Sequence, residues 1–152
     1  FKETIEFRDR LKRELGINIV TLEPLCGHDA FLDQQGDVCM AFLFGSRARG
    51  EADASDWDIA VSFEACFASS LDQLARLEQL RSALAKALGC QAGLIDLVDL
   101  TRAPLNLCIT VAEEGQILKG RQSLELFRFY QRAWSGQEEF HFRKAHGLCS
   151  LS

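Results

Sequence analysis

Between residues 56 and 63, polar or small positions alternate with large apolar ones. Asp56, Asp58, Ala60 and Ser62 form one set, and Trp57, Ile59, Val61 and Phe63 form the other. Successive side chains of a strand point to opposite faces. The segment is therefore expected as a strand with one continuous apolar face and one face carrying two carboxylates followed by small residues. Just upstream, residues 39–44 hold the run Met40-Ala41-Phe42-Leu43-Phe44, short enough for a buried strand and broken by Gly45-Ser46. Downstream, Ser70 reads as a helix N-cap. Leu71, Leu74, Leu77, Leu80, Leu84 and Leu88 then recur at helical spacing, and Gly89 ends the helix. That stripe predicts a helix packed on the core.

Residues 94–100 read as a third strand. Pro104 suits a helix start and Gly115 its end. Ile117-Leu118 predicts a short edge strand. Two amphipathic helical segments follow, one over residues 123–134 and one around Phe140 and Phe142. Before the first strand, the pattern predicts a helix over residues 1–15, a short strand over 17–22, and a loop over 23–37 with a helical turn near Ala30 to Gln34. The order strand, Gly-Ser turn, strand, helix, strand predicts an α/β (α+β) fold, a small mixed sheet with helices packed on one face. A chain of 152 residues suits one core better than two. The expected organisation is one domain over 1–152, with a catalytic core at about 38–120 and a helical segment at about 121–148.

Composition narrows the partners. The net charge of −5 argues against a broad nucleic-acid surface. No apolar run approaches the ~20 residues of a membrane span. Six cysteines, Cys26, Cys39, Cys66, Cys90, Cys108 and Cys149, are scattered without C-x-x-C or zinc spacing. They read as reduced, mostly buried thiols of a cytoplasmic protein. His28, His141 and His146 have no ligand-pair spacing.

The chemistry sits between residues 45 and 58. Two carboxylates on one strand face repel each other, and a divalent cation removes that cost. Mg²⁺ takes carboxylate oxygens, keeps waters and completes its shell with substrate phosphates. Gly45 lets the backbone approach a ligand closely, Ser46 can cap a short helix, and N–H groups at such a start bind phosphate. Arg47 and Arg49 read equally as phosphate neutralisers and as solvated loop arginines.

Gly45-Ser46, nine residues, then Asp56-x-Asp58 resembles the signature of the polymerase β-type nucleotidyltransferases. The form GSRARG…SDWDIAV is similar to the minimal nucleotidyltransferases (MNT), including MntA-type antitoxins of HEPN/MNT toxin–antitoxin pairs. Leu94-Ile95-Asp96-Leu97-Val98-Asp99-Leu100 resembles their third strand, whose aspartate completes the metal site. Asp99 is the rival to Asp96 but falls on the opposite strand face, and the resemblance favours Asp96. Trp57 departs from the small aliphatic residue usual inside the motif.

The resemblance implies three carboxylates converging at one sheet edge, with Asp56, Asp58 and Asp96 binding two Mg²⁺ ions. It also implies that Gly45, Ser46, Arg47 and Arg49 hold the nucleotide. The implied activity moves AMP from ATP to a hydroxyl, as the antitoxin that adenylylates a HEPN-domain toxin. A non-catalytic masking antitoxin and an aminoglycoside-type nucleotidyltransferase are the alternatives. Finally, the run Leu126-Phe127-Arg128-Phe129-Tyr130 places large apolar residues on more than one side of a helix. The side that one core cannot cover is expected to pack on a second copy or a partner.

Overall fold

In a computed structural model, residues 31–51, 56–64 and 67–145 are described, with side chains up to residue 139. The expected helix over 1–15 and strand over 17–22, Cys26, Cys66, Cys149 and the side chains of all three histidines lie outside them. The elements are β1 (Val38–Phe44), α1 (Gly45–Ala48), β2 (Trp57–Phe63), α2 (Ser70–Leu88), β3 (Ile95–Asp99), α3 (Leu105–Glu114), β4 (Gln116–Lys119) and α4 (Leu124–Ala145). A 3-10 turn at Phe31–Gln34 precedes β1 and another at Ala92–Leu94 precedes β3. The strands form one sheet in the order β3-β2-β1-β4. β1 is antiparallel to both β2 and β4, and β2 is parallel to β3, so the sheet is mixed as expected.

The sheet is covered on both faces rather than one. On the first face Ala41, Leu43, Ile59 and Val61 pack with Leu80 and Leu84 of α2. On the second, Met40, Phe42 and Ala60 pack with Val111 of α3 and Leu126 and Phe129 of α4. β1 can face two layers because both of its side-chain sets are apolar, a pattern its continuous run does not distinguish from a one-sided strand. The small Ala60 stands opposite Phe42 in the register and leaves space for that ring. Phe42 and Phe129 meet at 5.3 Å between ring centroids.

The helix α2 begins at Ser70, but the cap is one residue earlier. Ser69 Oγ accepts a hydrogen bond from the Asp72 N–H at 3.1 Å. Gly89 closes the helix in the left-handed conformation. Its leucine stripe divides: Leu80 and Leu84 are buried, whereas Leu71 and Leu74 are 74% and 54% exposed. Arg76 clamps the helix to the start of β1, donating to Asp37 from Nε at 2.6 Å and from Nη2 at 2.8 Å.

The two C-terminal helical segments are one helix. Gly136 does not interrupt α4, because it serves a close approach: a Cβ there would stand 2.5 Å from Leu105 Cδ1 at the start of α3. Leu126, Phe129 and Ala133 of α4 are buried, while Leu124, Phe127 and Trp134 are more than half exposed. The expectation of an uncovered apolar side on this helix therefore holds within the monomer. No helix among the described residues is long and apolar enough to cross a membrane. Cys39, Cys90 and Cys108 are free thiols, half-buried rather than fully so.

Candidate active site

The strand register builds the site. Phe44, the last residue of β1, pairs with Asp58 of β2, and Asp58 pairs with Asp96 of β3. The chain turns at Gly45 directly beside this row. Gly45 has φ +71°, and a Cβ on it would overlap Asp58 Oδ2 and stand 2.9 Å from Asp58 Cγ. Glycine is thus required twice over, by the left-handed backbone and by the carboxylate seated against it. The short α1 that follows begins with Gly45 and Ser46, and the first N–H groups of a helix have no carbonyl ahead of them within it.

Asp58 is half-buried, and Asp56 and Asp96 are exposed. Burial pushes the Asp58 carboxyl up from its usual range, and the negative charges of Asp96 and then Asp56 push it further, while Arg49 opposes them. Asp96 and Asp56 therefore both act on Asp58 from one end of the sheet. They do not close into a cage: among the described residues, no three His, Cys, Asp or Glu side chains converge to ligate one ion. Hard carboxylate oxygens on neighbouring strands nevertheless suit Mg²⁺, which takes few protein ligands and completes its shell with water and phosphate.

Asp99 is on the other face and is committed elsewhere. It is buried, accepts from the Thr101 N–H at 3.0 Å and from Thr101 Oγ1 at 2.5 Å, and also accepts from Gln73 Nε2 of α2. Its role is to join β3, the following turn and α2. Sequence alone gives no sign of Gln73, which lies 26 residues away.

The two arginines separate. Arg47 lies over the Trp57 ring, 3.9 Å from guanidinium carbon to centroid, and its Nε donates to the Asp56 carbonyl at 3.0 Å. Trp57 belongs to the α2-side core, so Arg47 leans away from the carboxylate face. Arg49 is the one whose charge acts on Asp58. It pairs with Glu51 at 2.9 Å and with Glu114 at the end of α3 at 3.0 Å. Glu114 was not singled out by any motif, since a contact spanning 65 residues leaves no local pattern.

A glycine turn packed on an Asp-x-Asp strand, beside a parallel strand bearing a further aspartate, defines a domain built to handle nucleotide phosphates. The family model for polymerase β nucleotidyltransferases matches residues 29–124, and the chain belongs to that family. It is a nucleotidyltransferase.

Among solved structures, it is 27% identical to a chain of a toxin–antitoxin complex crystallised with AMP-PNP. That match covers 85% of this chain and 94% of that one with a TM-score of 0.57. It is 27% identical to a chain of the MntA–HepT toxin–antitoxin complex, over 84% of this chain and 87% of that one, with a TM-score of 0.52. It is also 28% identical to a chain of a complex of the tri-AMPylated Shewanella oneidensis HEPN toxin with its MNT antitoxin. There the match covers 76% of this chain and 84% of that one with a TM-score of 0.52. A comparison with curated proteins gave no match.

Proposed function

We propose that this nucleotidyltransferase is the antitoxin of a toxin–antitoxin pair, and that it moves AMP from ATP to a hydroxyl of a HEPN-domain toxin in the cytoplasm. The observation that carries the reading is the alignment of Asp58 with Asp96 across β2 and β3, with Gly45 closed against Asp58. The likeness to complexes that contain an AMPylated HEPN toxin or AMP-PNP supports the acceptor and the nucleotide.

In this reading Asp56, Asp58 and Asp96 hold Mg²⁺, two ions in the full site. When bound, Mg²⁺ supplies positive charge to the phosphate oxygens and to the incoming and departing oxygens. Gly45 and Ser46 present backbone N–H groups to the β and γ phosphates. Arg49 exchanges its exposed pairing with Glu51 and Glu114 for the phosphates. Asp96, exposed on β3 beside Asp58, takes the proton of the attacking hydroxyl. The hydroxyl oxygen bonds to the α-phosphorus, and pyrophosphate leaves with the electron pair of the broken P–O bond. Most of the acceleration comes from positioning and charge.

The exposed Leu124, Phe127 and Trp134 on α4 favour a protein partner over a free small-molecule acceptor. They also fit a second reading, in which the chain neutralises the toxin by covering it. Asp96→Asn separates the two in a co-expression growth assay with a parallel pull-down. Transfer predicts binding without neutralisation. Masking predicts binding with full neutralisation.

A further inference from the structure

β3 is an edge of the sheet, and among the described residues only β2 pairs with it. The Leu100 N–H donates to the Val61 carbonyl at 2.9 Å, so even-numbered residues here turn their backbone groups inward to β2. By alternation Leu97 turns its N–H and C=O to the open side, and Asp99 its N–H. An edge strand with outward backbone groups is a template for another extended chain.

Beside that edge lies a cavity of about 340 Å³ between the first half of α2 and the turn after β3. Leu74, Leu77, Leu97 and Pro104 give it apolar walls, and Gln73 and Asp99 also line it. Arg102 Nη2 donates to Ser70 Oγ at 2.9 Å and bridges its rim. Leu74, which lines it, is with Leu71 one of the leucines of the α2 stripe that the core leaves exposed. Its apolar walls suit a large apolar side chain, and it is on the opposite face of β3 from Asp96.

We propose that the acceptor protein docks as an extended segment along the outer edge of β3. The segment adds a fifth strand to the sheet and places one large apolar side chain in the cavity. An added strand alternates its side chains in step with β3. A residue next to the apolar anchor therefore lies on the Asp96 face, where a tyrosine, serine or threonine hydroxyl meets that carboxylate. One strand thus carries both the docking edge and the acceptor-side aspartate. The inference rests on the transfer reading above and names the form of its substrate: an extended, hydroxyl-bearing polypeptide rather than a helix or a sugar.

The test is residue-resolved amide hydrogen exchange on the full chain, free and in complex with the HEPN toxin. The Leu97 amide is expected to exchange quickly in the free chain and at least about tenfold more slowly in the complex. Leu74→Arg is expected to raise the KM for the toxin by roughly tenfold, the scale of a spoiled apolar pocket. ATP affinity and Tm should stay at wild-type values. Leu97 exchange unchanged on binding overturns the proposal. So does a Leu97 amide already protected in the free chain, which would mean that the chain's own residues occupy the edge. The two readings fail separately. AMP on the toxin without Leu97 protection removes the docking mode alone, and Leu97 protection without AMP removes the transfer alone.

Discussion

Asp58 stands opposite Asp96 across the parallel β2–β3 pair, and the repulsion between them adds to the burial that raises the Asp58 carboxyl. A raised carboxyl contributes stability that is complete below its unfolded pKa and is lost as pH rises through its folded pKa. At neutral pH without metal, Asp58 is therefore a cost to the fold. Asp58→Asn is expected to raise the Tm of the protein in EDTA and to abolish nucleotide transfer. Mg²⁺ with ATP should raise the Tm of the wild type and leave the variant unchanged. Calorimetry checks both arms, and a variant less stable than the wild type in EDTA would contradict the assignment.

Asp37 carries the opposite sign. Its hydrogen bonds to Arg76 hold its carboxyl below the usual range, against the effect of burial. Its stabilisation is complete above the unfolded pKa and is lost as pH falls through the folded value. On acidification in EDTA, the urea midpoint of the wild type is expected to gain from Asp58 first and lose from Asp37 at lower pH. Arg76→Met should lower the midpoint at neutral pH and flatten the acid limb. Both partners are partly exposed, so the cost is expected at about 1 kcal/mol.

Gly45→Ala tests the turn. A left-handed non-glycine residue costs roughly 1–2 kcal/mol, and the new Cβ displaces the Asp58 carboxylate. The expected Tm loss is a few degrees, about 2–4 °C per kcal/mol for a chain of this size. Transfer should fall by about 10²-fold, the usual consequence of a misplaced group. Near-normal transfer by a folded variant would remove Gly45 from the site.

The strand phase made this site legible. Alternation assigns Asp56 and Asp58 to one face, and the even spacing of Asp96 and odd spacing of Asp99 put those two on opposite faces of β3. What was not legible depends on distant neighbours. Periodicity marks Leu71 and Leu74 as part of a stripe but does not say that the stripe overshoots the core. An apolar β1 does not reveal that helices cover both of its faces. Arg47 and Arg49 look equivalent two residues apart. Only Trp57 under one and Glu114 beside the other distinguish them.

That distinction predicts different phenotypes. Arg49→Ala is expected to weaken ATP binding by roughly tenfold with little change in Tm, since its pairs are exposed. Arg47→Ala should chiefly lower stability, by about 0.5–2 kcal/mol through the lost ring contact. Isothermal titration with ATP and thermal melts of both variants check the pair, and the reverse pattern would exchange their roles.

AMP transfer to a protein is checked by intact mass measurement of the toxin. The toxin is incubated with this chain, ATP and Mg²⁺, with Asp58→Asn in parallel. Wild type is expected to add one or more AMP increments to the toxin, and the variant to add none while still binding it. A toxin neutralised by the wild type at unchanged mass would contradict AMP transfer.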